Sequence, residues 1–239
     1  MFSISESNSK VGFISREEWG QLRVDNRVIY CQVQFELDCF SEQDFTAYNI
    51  IRPSTLTTAV AKRQAEYLAG RYCCARLLMQ LGLDRQVRQN ADRSPSFPES
   101  ISGSISHHHN QAIALLSDHE NLAIGIDIEE YNPSVLQEIK KYITSEHERI
   151  QCLSLLCDES FLLLLAFSSK ESLFKALYPR VGYYFGFECA EIISINSSQG
   201  EFNIKLVKNL NEKYCSGMVF KGFFSFEKNT IVTIVLIDS

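Results

Sequence analysis

The stretch LAIGIDIEE, Leu122 to Glu130, decides how this chain is read. Apolar residues at 122, 124, 126 and 128 alternate with the rest, which is the period-two signature of a strand. Asp127 and Glu129 stand two residues apart, so a strand turns both carboxylates to one side. Like charges held that close repel and resist desolvation, and a cation between them is the natural complement. Carboxylate oxygens are hard donors of the kind magnesium prefers. A solvent-facing strand surface accounts for the same spacing. The alternating isoleucines Ile124, Ile126 and Ile128 put the acidic face opposite the core face, without deciding whether that face is a cleft.

On either side of this strand the chain has the same grammar. Upstream, residues 27–37 read as a strand, and Leu56 to Gly82 as a long helix. Its positions Ala65, Leu68, Ala69, Tyr72, Leu77 and Leu78 recur at helical spacing. A loop-rich connection with Pro95 and Pro98 follows, and GSISHHHNQAIALLS reads as strand, turn, strand. Downstream come helices over about 135–140, 145–156 and 159–178, the last ended by Pro179, and then the strands CAEIISIN, EFNIKLV, MVFKGFFSFE and TIVTIVLID. The expected class is therefore α+β. Two similar subdomains, related by a pseudo-two-fold, each pack a long helix on a mainly antiparallel sheet, with residues 1–119 in the first and 120–239 in the second.

Composition narrows the function. The 239 residues are 45% hydrophobic and 22% charged, as in an ordinary soluble globular protein. The polar start MFSISESNSK is not a signal peptide, and the longest apolar run, FLLLLAF (161–167), is a core helix segment too short to span a bilayer. The cysteines 31, 39, 73, 74, 152, 157, 189 and 215 include no C-x-x-C pair, which argues against zinc or a disulfide framework. Buried free thiols in a reducing cytoplasm are the expectation. The net charge of −6 disfavours nucleic acid, yet Lys62 to Arg93 carries a local excess of four positive charges. A basic pocket for a small polyanion fits that reversal.

Two further constellations carry chemistry. In FSSKESLFKALYP (167–179) Glu171 and Lys175 form an i,i+4 pair with Lys170 alongside. Glu171 can offer a metal a third carboxylate while the lysines reach for phosphate oxygens. An exposed helix salt bridge explains the pair equally well. On the upstream helix Arg63 and Arg71 lie about 80° apart around the axis and can project to one side, and Gly70 between them suits a close backbone approach. A solvated basic face is the simpler account of two arginines. Adjacent histidines in a strand point to opposite faces, so His107, His108 and His109 do not all serve one metal, though one of them can donate to an anion.

Taken in order, GSISH (103–107), GIDIE (125–129) and FSSKESLFK (167–175) resemble the motif series of the 4′-phosphopantetheinyl transferases. KRQAEYLAGRYCCARLLMQLG and RSPSFPESISGSISH resemble the two-subdomain, surfactin-type branch that includes the enterobactin synthase component D enzymes. The likeness covers residues 60–180. It implies Mg2+ held by Asp127, Glu129 and Glu171, with the acidic strand and the KES helix meeting across the subdomain interface. It implies coenzyme A as co-substrate. Arg63 and Arg71, helped by Lys62, would hold its 3′-phosphate and adenine nucleotide, with Arg93 a further basic contact. His107, with Ser106 beside it, would meet the phosphates, and a one-residue slip would give that role to His108. Lys170 would reach the pyrophosphate, and Lys175 would stand near the reaction.

The implied reaction is attack by a serine hydroxyl of an apo carrier protein on the β-phosphate of coenzyme A, releasing adenosine 3′,5′-bisphosphate. Glu171 is the candidate base, directly or through a water, with Lys175 the alternative. Carriers of peptide, siderophore or polyketide synthases are the implied partners, and Leu173 and Phe174 are candidate docking residues. The two-subdomain length favours a monomer with its site inside one chain, and the free thiols fit a cytoplasmic location. The competing readings are a coenzyme A or nucleotide-binding protein, a Mg-dependent phosphohydrolase, and a subunit of a biosynthetic complex.

Overall fold

The computed structural model describes residues 1–9, 11–84, 86–153 and 158–238. Cys157, Arg85 and the end of the helix expected over 145–156 lie outside them. The chain divides into two compact units, Phe2–Leu122 and Ala123–Ser239, the second joined by Met1. Each is a five-stranded sheet carrying one long helix, so the α+β expectation holds.

In the first unit the strands are β1 (Phe2–Ser9), β2 (Ile14–Leu22), β3 (Ile29–Phe35), β6 (Ser102–His108) and β7 (Gln111–Ser117), with a small hairpin of β4 (Arg88–Gln89) and β5 (Pro95–Ser96). The sheet order is β1-β2-β3-β7-β6, antiparallel throughout. A one-turn helix α1 (Asp44–Ala47) precedes α2 (Ala61–Gln80), which packs across β3, β7 and β6. All six predicted core positions of α2 are buried. It starts five residues later than its pattern suggests, because the backbone of Val60 is extended and 54–56 forms a separate 3-10 turn. The edge strand β1 was not legible: none of its eight positions is buried, so it has no buried face to set a period-two pattern.

In the second unit β8 (Leu122–Glu130) leads to α3 (Pro133–Ile143), α4 (Glu146–Leu153) and α5 (Glu159–Val181), then β9 (Ala190–Asn196), β10 (Glu201–Leu206), β11 (Val219–Glu227) and β12 (Thr230–Asp238). The order is β8-β12-β11-β10-β9, with β9 to β12 an antiparallel meander. Asp158 caps α5, accepting from the Ser160 and Phe161 amides, and Leu162 to Ala166 then enter the core. Pro179 does not end α5, contrary to expectation. So near the C-terminus its missing N–H costs one bond, and the helix runs on to Gly182, whose left-handed backbone returns an N–H to Tyr178.

Five of the described cysteines are buried, as expected, whereas Cys39 is exposed and Cys215 half-exposed. Among the described residues no helix is long and apolar enough to cross a membrane.

Candidate active site

The acidic strand corrects its own reading. Ala123, Gly125 and Asp127 point to the face of the sheet on which α5 lies, and the isoleucines between them are buried on the other. Gly125 makes this possible: any Cβ there would collide with the Ser172 carbonyl, so only glycine admits the helix so close to the strand. Both segments lie within the second unit, not in different subdomains.

That close approach assembles the carboxylates. Lys175 Nζ donates to Asp127 Oδ1 at 2.7 Å and to the Ile126 carbonyl at 3.0 Å. Asp127 is buried and Glu129 half-buried. Burial holds the Glu171 carboxyl above its usual range; Lys175 pulls it down, and the neighbouring Asp127 and Glu129 charges push it further up. Three carboxylates within electrostatic reach of one another, with Lys175 bonded to Asp127, are a donor set that fits a hard divalent cation. Serines of the same motif do structural work. Ser168 and Ser172, both fully buried, bond Thr233 of β12 and fix that face of α5.

Lys170 is not brought to this group. It lies 100° around the helix from Glu171 and is buried, with Nζ donating to Glu148 Oε2 and the Ile143 carbonyl, both at 2.7 Å. Two of its three donors are therefore spent inside the fold, where the sequence suggested a pyrophosphate contact. Leu173 is likewise buried in the core and offers nothing to a docking partner. Phe174 is half-buried in a ring cluster with Tyr178, Tyr184 and Phe185. A small cavity of about 50 Å³ opens there, lined by Glu171, Phe174, Tyr184 and Phe187 among others, and a cleft of about 550 Å³ runs past Tyr142, Tyr183 and Tyr184. Phe174 and Tyr178 lie in the quoted motif segment, whereas no motif signalled Tyr142, Tyr183, Tyr184 or Phe185.

In the first unit Arg63 Nη1 lies 2.9 Å from His107 Nε2, with Glu66 behind both at 3.8 and 3.7 Å and Lys62 at 4.0 Å from Glu66. Gly70 admits β6 to α2, since a Cβ there would stand 2.9 Å from Ile105 Cγ2. His107, two residues on, shares that face of β6, whereas Ser106 points to the other side, as strand alternation requires. His108 also faces away and stacks edge-on against His109. Arg71 is buried, its guanidinium 4.5 Å from the Tyr67 ring centroid and bonded to the Arg88 carbonyl, with Nε unmatched among the described residues. Arg93 stands exposed in the β4–β5 turn with a left-handed backbone.

A family model described as the 4′-phosphopantetheinyl transferase N-terminal domain matches residues 52–117, and one for the 4′-phosphopantetheinyl transferase superfamily matches 123–229. The chain belongs to this superfamily. Enterobactin synthase component D of Escherichia coli K12 is 36% identical over 170 residues, covering 70% of this chain and 78% of that protein. The Salmonella typhimurium protein of the same name is 33% identical over 167 residues, covering 70% and 69%. The 4′-phosphopantetheinyl transferase Svp of Streptomyces mobaraensis is 33% identical over 156 residues, covering 62% and 61%. As a superfamily member the chain is a transferase that moves 4′-phosphopantetheine from coenzyme A to carrier proteins.

Proposed function

We propose that the carriers are domains of peptide, siderophore or polyketide synthases, that the reaction needs Mg2+, and that Asp127, Glu129 and Glu171 hold the ion. The observation that carries this reading is the convergence of Asp127, Glu171 and Lys175 where β8 meets α5. Bound there, Mg2+ would offset charge on the pyrophosphate. Arg63, Arg71, Lys62 and Arg93 are the contacts for the nucleotide end of coenzyme A, and guanidinium forks suit its 3′-phosphate. His107, already against Arg63, serves the phosphates; Ser106 is the weaker candidate, because its side chain leaves that face.

In the transfer, the serine oxygen of the carrier forms a bond to the β-phosphorus and the bond to the bisphosphate leaving group breaks. Glu171 is the candidate acceptor of the serine proton, directly or through a water, with Lys175 the alternative; a carboxylate held against a divalent cation has a lowered proton affinity, which favours the water-mediated route. Lys175 orients Asp127 and places a positive charge beside the developing negative charge. Lys170 supports the site from within the fold.

Intact-mass analysis of an apo carrier incubated with the chain, coenzyme A and Mg2+ tests this directly. A gain of one phosphopantetheine that is lost on omitting Mg2+ or with Asp127→Ala or Glu171→Ala is expected. Transfer unaffected by either substitution would overturn the assignment, and coenzyme A turnover without a carrier would favour hydrolysis.

A further inference from the structure

The most heavily buried ion pair described in the second unit joins Lys170 of the KES motif to Glu148, a residue that none of the three motifs contains. Glu148 of α4 is completely buried and Lys170 is 4% exposed. Burial drives the lysine toward losing its proton and the glutamate toward keeping one, each opposed by the other's charge. Such a pair is weak evidence for stability, because desolvating two charges costs about what their attraction returns. Its value lies in what it fixes.

Four elements meet at this point. Lys170 Nζ satisfies the Ile143 carbonyl at the C-terminus of α3, while Glu148 Oε1 accepts the Ile192 amide of β9 at 2.8 Å. Strand β9 is the sheet edge, and α4 covers it: Cys152 Sγ lies 3.3 Å from the Ile192 carbonyl, and Gln151 donates to the Ile193 carbonyl at 3.3 Å. Around the axis of α5, with Ser168 at zero, Ser172 falls at about 40°, Lys175 at about −20°, Glu171 at about −60° and Lys170 at about −160°. The serines hold one side of the helix to β12 and Lys170 holds the other to α4. Glu171 lies between the two anchors.

We infer that Glu148, acting through Lys170, is a positioning residue: the pair sets the rotation of α5 that aims Glu171 at Asp127 and Glu129. This rests on the proposed metal role of those carboxylates. It also makes Lys170 a strut of the site and not a phosphate ligand.

The test compares Glu148→Gln, the double variant Glu148→Gln/Lys170→Met, and Asp127→Ala. Mn2+ binding to the full chain is read by electron paramagnetic resonance of the free ion and normalised to folded protein by circular dichroism. The expected result is a roughly three- to tenfold weaker Mn2+ affinity in both pair variants, with the KM for coenzyme A within twofold of the parent. Parental Mn2+ affinity per folded molecule would overturn the inference, because a purely structural pair changes only the folded fraction. So would a coenzyme A KM raised tenfold by adding Lys170→Met to Glu148→Gln, which would make Lys170 a ligand. If Asp127→Ala leaves Mn2+ binding intact, the metal reading fails by itself. Hydrogen exchange then decides the positioning claim: amides of 170–175 are expected to exchange faster in Glu148→Gln, and parental rates there overturn it.

Discussion

Gly125 and Ser172 touch through backbone alone: the strand residue has no side chain, and the helix carbonyl occupies the space a Cβ would need. This contact sets the distance from β8 to α5, and Asp127 and Lys175 bond across it at 2.7 Å. Gly125→Ala must therefore push the helix off the strand. Overpacking of this kind costs about 1–3 kcal/mol and more where backbone is the obstacle. Urea melts are expected to show a loss at the upper end of that range, with transfer activity falling further than stability. A variant that melts and turns over like the parent would show that the helix does not depend on this glycine.

Lys175 neutralises Asp127 from within the fold, which a bound divalent cation would also do. Lys175→Met leaves a buried carboxylate without its lysine, a change of the kind that costs about 3–5 kcal/mol when no other partner steps in. Mg2+ should restore part of that loss by mass action and raise the variant's melting temperature more than the parent's. Equal shifts in the two proteins would separate Lys175 from the metal group.

The raised proton affinity of Glu171 gives stability a defined pH slope. Its carboxyl sits above the ordinary 4.5, with burial the main cause. Between 4.5 and the raised value the folded chain holds more of this proton than the unfolded chain, so this group's contribution to stability falls as pH rises through that window. Glu171→Gln removes the titration. Denaturant melts across the window are expected to show the parent losing stability relative to the variant as pH rises, and a difference that does not change with pH would refute the assignment.

Much of this architecture was legible because it repeats. The three-to-four spacing of α2 reports the face it buries, and LAIGIDIEE reads as a strand although residues 122–128 are all buried on both faces. What could not be read was which neighbour each face meets. Spacing alone left open whether Asp127 and Glu129 face solvent or a cleft; their face receives α5, and the clue was the absent side chain at Gly125. Lys170 and Glu171 look equivalent in sequence, but 100° of helix sends one to Glu148 and the other to the carboxylates. Ser145 and Glu148 do leave a local trace, an S-x-x-E helix start in which the serine accepts the Glu148 amide. Nothing local reveals that the same glutamate waits for a lysine 22 residues later.

Arg71 offers the sharpest test of the nucleotide contacts, because its surroundings use the shape of the guanidinium and not only its charge. It lies 4.5 Å from the Tyr67 ring centroid and donates from Nη2 to the Arg88 carbonyl, and a planar guanidinium makes both contacts at once where a compact ammonium on a shorter reach gives up the flat stacking. Arg71→Lys keeps the charge and loses the stacking and the fork. The KM for coenzyme A is expected to rise about tenfold with kcat little changed, the signature of lost uniform binding. Tyr67→Leu should reproduce part of that rise by freeing the guanidinium. If Arg71→Lys leaves KM where it was while Arg63→Lys raises it, the nucleotide is held at the Arg63–His107 end of α2, and Arg71 serves the packing of the β4–β5 hairpin instead.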